Sequence, residues 1–202
     1  MIELIRPILN RPFFYEGYHK LIGANYRSRV LVNDYIRPKS NDRILDIGCG
    51  PGNMLPFLPE CRYTGFDANE SYINSARERY GDRGNFVCER VSHHTVQQFG
   101  TFDIVLALGL VHHLDDPEAK DLFRLGYTAL KPGGRMITND GCYAPGQSAA
   151  IRFLLSRDRG QYIRTQQQYL DLALEYFDEV KPNIREDVLR IPYTHLILEC
   201  VR

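Results

Sequence analysis

The stretch Ile44-Leu45-Asp46-Ile47-Gly48-Cys49-Gly50-Pro51-Gly52 restricts the fold of this chain more than any other. A short apolar run reads as a buried strand. This one carries an acid and runs straight into three glycines at alternate positions. Glycine suits places where the backbone turns through positive φ or lets another molecule lie directly against it. The stretch predicts a core strand that empties into a tight, ligand-facing turn.

From residue 43 onward strand and helix signals alternate, which predicts an α/β fold with a mostly parallel sheet. Strands fall on residues 43–48, 62–67, 85–90, 102–108 and 135–140, the fourth continuously apolar. Asn69 can cap a helix whose Tyr72, Ile73, Ala76 and Tyr80 recur at helical spacing. Asp116 followed by Pro117 reads as an N-cap with proline at the first helical position. That helix runs to about Leu130, where Lys131-Pro132-Gly133-Gly134 stops it. Thr165 and Gln168 form a capping box for a helix carrying Tyr169, Leu170, Ala173, Leu174 and Phe177. Two last strands fit residues 177–185 and 194–201. The first 40 residues are rich in Tyr and Arg, with a helical segment from about Tyr18 to Ile36 expected to pack outside the sheet core.

A chain of 202 residues suits one domain. Its 25 basic and 25 acidic residues cancel, and the arginines are scattered, so nothing electrostatic favours nucleic acid or an anionic membrane as partner. No apolar run approaches the length of a membrane span. Glu3, Arg6, Pro7, Arg11 and Pro12 interrupt any signal-peptide core. Five cysteines (49, 61, 88, 142 and 200) are odd in number and lack any Cys-x-x-Cys. They read as reduced thiols of a cytoplasmic protein, with neither a disulfide framework nor a metal site.

The glycine turn is not the dinucleotide fingerprint Gly-x-Gly-x-x-Gly, because Asn53 stands at its third glycine and the acid at Asp46 is no part of it. It resembles instead the first motif of the class I S-adenosylmethionine (SAM) dependent methyltransferases, Asp-x-Gly-x-Gly-x-Gly. Three further segments continue the resemblance in order over residues 43–140: Asp67 closing Tyr63-Thr64-Gly65-Phe66-Asp67, the run Phe102-Asp103-Ile104-Val105-Leu106-Ala107-Leu108-Gly109-Leu110-Val111-His112-His113-Leu114, and the Pro132-Gly133-Gly134 turn. The resemblance implies a doubly wound, Rossmann-like seven-stranded sheet with helices on both faces and an antiparallel last strand. It implies SAM as cofactor. Gly48, Cys49, Gly50 and Gly52 would lie against it, Asp46 would serve its ammonium, and Asp67 with Ala68 its ribose. Ala107 and Leu108 would line it. The family commonly places an acid after the third strand to accept from the adenine amino group. Arg90 takes that register here, which leaves Glu89, one residue away, or the backbone amide of Val91.

Methyl transfer asks the protein to align an acceptor and exclude water, with a base if the acceptor is a hydroxyl. His112 and Asp140 are the candidate bases. His112 alternatively shapes its loop, and Asp140 alternatively binds substrate or starts a turn with Gly141. Tyr15 and Tyr18 of the leading segment, His113, Tyr143 and Arg159 are candidate acceptor contacts. The arginines of residues 156–164 either grip a carboxylate or phosphate or form a solvated surface. The expected organisation is one domain over 1–202: a helical lid to residue 40, a SAM-binding core over 41–140, and a substrate-side insertion with the final strands over 141–202. The expected activity is methylation of a small molecule, oxygen favoured over nitrogen or carbon. The alternatives are an NAD(P)-dependent oxidoreductase and a non-catalytic SAM-binding partner subunit. Nothing in the sequence fixes an oligomeric state.

Overall fold

The computed structural model describes residues 23–202. Seven strands form the main path of one sheet: β1 (Arg43–Ile47), β2 (Arg62–Asp67), β3 (Gly84–Cys88), β4 (Phe102–Leu108), β5 (Leu130–Tyr143), β7 (Glu179–Arg185) and β8 (His195–Val201). They stand in the order β3-β2-β1-β4-β5-β8-β7, and the two-residue β6 (Arg164–Thr165) pairs with the far end of β5. β1 to β5 are parallel, and β8 runs antiparallel to both β5 and β7. The expected seven-stranded, mostly parallel sheet is present. β1 has β2 on one side and β4 on the other. This is the reversal of strand order at which open α/β sheets bind ligands.

Alternation along the strands decides what each face buries. Leu45, Ile47, Val105 and Ala107 face α4 (Asp116–Ala129) and α6 (Gln166–Leu174) through Ala119, Phe123, Tyr169 and Ala173. Ile44, Ile104, Leu106, Ile137 and Ile197 take the opposite face, against Ile73 and Ala76 of α2 (Glu70–Tyr80). The same face receives α1 (Ala24–Val30) and the wider turn Leu31–Ile36 that continues it. Here the expectation fails. This segment does not pack outside the core; Leu31, Val32, Tyr35 and Ile36 are buried in it. Each such apolar side chain contributes about 1.5–3 kcal/mol by leaving water.

Local boundaries also move. The helix cap falls on Asp115, whose side chain accepts from Glu118 N, so Asp116 opens the helix and Pro117 follows it. β3 ends at Cys88, which puts Glu89 and Arg90 beyond the strand. β5 already begins at Leu130: Gly133 takes φ +75° and its N–H donates to Arg202 O at 2.8 Å, so the Pro-Gly-Gly turn is a bulge within the strand. Asn69 does cap α2, accepting from Ser71 N and Tyr72 N, and Thr165 with Gln168 does form the capping box. Between β1 and β2 there is only a short 3₁₀ turn, Leu55–Phe57. Pro51, Pro56 and Pro59 leave no room there for a longer helix.

Candidate active site

The glycine turn has the conformation its composition predicts. Gly48, Gly50 and Gly52 all take positive φ (73°, 55° and 73°), a region costly for side chains with a Cβ. The N–H groups of Gly48 and Cys49 both donate to Phe66 O, at 2.8 and 3.0 Å, which ties the turn to the end of β2. Asp67 anchors it a second time, accepting from Gly50 N at 2.9 Å through one carboxylate oxygen and from Asn69 N at 2.8 Å through the other. A Cβ on Gly50 would meet nothing within 4 Å, so the crest of the turn is open.

Beside the crest lies a cavity of about 290 Å³, walled by Arg27 and Ser28 of α1, by Asp46, Gly48 and Gly50, and by Leu108 at the end of β4. Asp46 is 2% exposed, and one of its oxygens accepts from the Tyr63 hydroxyl at 2.6 Å. Burial pushes its carboxyl up to about 7; the Tyr63 hydrogen bond works against that rise and the Asp67 charge adds to it. Burial likewise pushes the Cys49 thiol far up, and the nearby Asp46 adds to this. Cys49 packs over Gly65, where a Cβ would come within 2.8 Å of its sulfur, and it also lines the cavity. Ala107 is fully buried on the opposite face of the sheet and offers this side only backbone, whereas the Leu108 side chain reaches the cavity.

The adenine expectation changes at Arg90. Its side chain is exposed and pairs with Glu118 at 2.6 Å, turned toward α4 because β3 has already ended. Glu89 accepts from the Thr95 hydroxyl at 2.6 Å. Val91 packs half-buried against the core, and Ala68 is exposed next to Asp67.

On the other side of the β4 end, His112 is buried between two carboxylates. Its Nδ1 lies 2.7 Å from Asp140 Oδ1 and its Nε2 lies 3.5 Å from Asp158 Oδ1. Burial pulls the imidazole down, but the Asp140 hydrogen bond and both carboxylates outweigh it and hold the pKa above the ordinary value. His113 is exposed at the surface, its ring 4.3 Å from that of His112, and desolvation on its protein side with the His112 charge holds it below the ordinary value. Asp140 is 2% exposed, and its second oxygen has no hydrogen-bond partner. Arg159 is exposed, with its charge acting on Tyr72 and His113. Tyr143 faces a different groove, shared with Arg152 and Ile184. Tyr15 and Tyr18 lie outside the described residues.

Sequence reading did not single out Tyr63, Asp158 or Arg164 for these contacts. Arg164, 6% exposed, donates to the carbonyls of Val111, Leu114 and Tyr162 and to Asp116. It staples the histidine loop to the segment carrying Arg159. Among the described residues no group of three or more His, Cys, Asp and Glu could hold a metal ion. No helix among them is long and apolar enough to cross a membrane.

A mostly parallel sheet with this strand order and an antiparallel β8, a glycine turn at its switch point and an acid ending β2 defines the class I methyltransferase fold. A family profile described as "Methyltransferase domain" matches residues 44–134. Phosphoethanolamine N-methyltransferase 1 of Triticum aestivum is 27% identical over 88% of the chain, which spans 36% of that protein. Trans-aconitate 2-methyltransferase of Rhodopseudomonas palustris is 30% identical over 73% of the chain and 56% of its own length. Among solved structures, the S-adenosylmethionine-dependent methyltransferase SibL in its apo form superposes with a TM-score of 0.70 at 18% identity, covering 94% of this chain and 58% of that one. Phosphoethanolamine N-methyltransferase 2 of Haemonchus contortus, in complex with S-adenosyl-L-methionine, gives 0.65 at 18% identity, covering 88% and 52%. By sequence over residues 44–134, and by fold over most of the described chain, the protein is similar to the class I SAM-dependent methyltransferases. It spans only about a third of the wheat relative.

Proposed function

We propose that this chain transfers a methyl group from SAM to a small-molecule acceptor. The observation that carries the reading is the open glycine crest, with three left-handed residues in five, standing over buried Asp46 and locked to Asp67 at the switch point. The residues fit the cofactor. Asp46 has the charge and burial to neutralise an ammonium group. Asp67 keeps lone pairs for ribose hydroxyls, and Glu89 or the Val91 amide stands on the adenine side. SAM when bound supplies an activated sulfonium methyl.

The chain's own work is to orient the acceptor, exclude water and receive a proton. His113, exposed and held in its neutral form, suits the proton-accepting role better than His112. His112 is favoured in its protonated form by two carboxylates and with Asp140 forms the floor behind it. Asp140 contributes a buried oxygen free to accept from the acceptor. A hydroxyl acceptor needs that proton removed, and this supports oxygen as the receiving atom. A nitrogen acceptor bearing an anionic group is the second reading. Several relatives carry the name phosphoethanolamine N-methyltransferase, and the exposed Arg159 beside Tyr72 fits an anion. Five free, widely spaced cysteines support a reducing, cytoplasmic setting.

Thermal unfolding with SAM, its demethylated product and NAD tests the cofactor. A ligand at about 100 times its dissociation constant adds about 2.7 kcal/mol. Stabilisation by SAM and its product is expected. Response to NAD alone overturns the reading, and binding without turnover across an acceptor panel favours a partner subunit. With phosphoethanolamine as the first acceptor, Arg159→Ala should raise KM about tenfold or more with kcat little changed. Unchanged kinetics of a turned-over phosphorylated acceptor would return Arg159 to the solvated surface.

A further inference from the structure

The segment over residues 157–163 lies across the histidine loop, and its attachment is unusual. Asp158 uses both oxygens: Oδ1 accepts from Gly160 N at 2.8 Å and sits 3.5 Å from His112 Nε2, and Oδ2 accepts from the Tyr193 hydroxyl at 2.8 Å. His112 is held from behind by Asp140, through the ring at 2.7 Å and through its own backbone N–H at 3.2 Å. Gly160 lies so close to the His112 ring that a Cβ there would come within 1.9 Å of Cδ2, and Tyr162 N donates to His112 O at 2.9 Å. One imidazole thus joins the end of β5 to the segment that carries Arg159.

We infer that the Asp140–His112–Asp158 line is a proton-dependent clasp that holds the Arg159 segment against the sheet and opens when His112 loses its proton. Only the imidazolium donates through both ring nitrogens; a neutral ring serves one carboxylate and leaves the other facing a lone pair. The groups that face the ring are Asp140 on β5, Asp158 in the segment, Arg164 on β6, His113 beside it and His195 on β8. The two carboxylates favour the charged ring, while burial and Arg164 oppose it, and the balance lies with the carboxylates. Arg164, bonded to the carbonyls of Val111, Leu114 and Tyr162, keeps the loop from detaching altogether when the clasp opens.

Amide hydrogen exchange, corrected for the intrinsic rate at each pH, reads the clasp at Gly160 and Tyr162, with His112 titrated in parallel by ring nitrogen shifts. Neither readout requires turnover, so failure here is distinct from failure of the methyltransferase reading. Protection should be full while His112 is protonated and fall about fivefold as pH rises through its pKa, as for loss of one partly buried ion pair. Asp158→Asn, at a partly exposed site, should fold, show the lower protection at every pH and bring the His112 pKa down. Protection of both amides unchanged across the His112 titration overturns the inference, as does an Asp158→Asn protein whose His112 titrates as in the parent.

Discussion

Replacing Asp46 by asparagine separates what this acid costs the fold from what it does for the ligand. A carboxyl held at about 7 instead of its ordinary 3.8 costs about 4 kcal/mol when ionised, at 1.36 kcal/mol per tenfold. Asparagine keeps an acceptor for the Tyr63 hydroxyl but brings in a buried NH₂ group whose missing partner costs about 1–3 kcal/mol. The net gain expected above pH 7 is about 2 kcal/mol, or about 4–8 °C in Tm for a domain of this size. The sign follows from which state holds the proton. Below pH 4 the acid is protonated in folded and unfolded chains alike and the charge costs nothing. Between 4 and 7 the unfolded chain has lost its proton while the folded one resists, so the parent loses stability, and above 7 the loss is complete. Calorimetric unfolding of parent and variant without ligand, at pH 4 to 9, should show the variant gaining relative to the parent over that window. Titration with SAM should show its affinity weakened but still measurable. A variant less stable than the parent above pH 7, or an advantage independent of pH, would refute the argument that burial of the charge dominates at Asp46.

Two other substitutions probe different parts of the site. Gly50→Val places a β-branched residue at φ +55° in otherwise open space. It should cost about 1–3 kcal/mol of strain and abolish SAM binding in a chain that still folds; a folded variant binding SAM tightly, measured by calorimetry, contradicts the turn assignment. Arg164→Leu strands the carbonyls of Val111, Leu114 and Tyr162 and should cost about 3 kcal/mol, lowering Tm by about 6–12 °C; a melt within about 2 °C of the parent shows that solvent replaces the staple.

The features visible in the sequence are those decided within a few residues. The glycine turn, the cap at Asn69 and the Thr165–Gln168 box depend on neighbours in the chain, and all three stand in the structure. The mostly parallel sheet followed from alternating strand and helix signals, and its doubly wound form from the resemblance to methyltransferases. Two adjacent aspartates blurred the start of α4, since either can cap and only the fold chooses Asp115. The contacts that set proton affinities were hidden because they join distant segments. Tyr63 meets Asp46 across paired strands, and Asp158 meets His112 from a connection that no local pattern positions. Arg90 fell into the adenine register only while β3 was drawn too long. The burial of residues 31–36 was hidden by Arg- and Tyr-rich flanks that mask a short apolar stripe.

The two sides of the site answer protons in opposite electrostatic senses that act together. On the cofactor side Asp46 is buried with one neutral partner and takes its charge only near pH 7, so a cationic ammonium is the group that best offsets it. On the acceptor side His112 already has its counter-charges, and the charged state is the closed one. Raising the pH through about 7 therefore readies Asp46 for an ammonium, and raising it past the His112 pKa releases the segment carrying Arg159. Lowering it discharges the cofactor acid and fastens the clasp. Asp46→Asn should abolish the pH dependence of SAM affinity and leave that of Gly160 and Tyr162 protection in place, because Asp46 bonds to Tyr63 whereas His112 lies between Asp140 and Asp158. Loss of both dependences in that variant would mean that the two sides titrate as one unit.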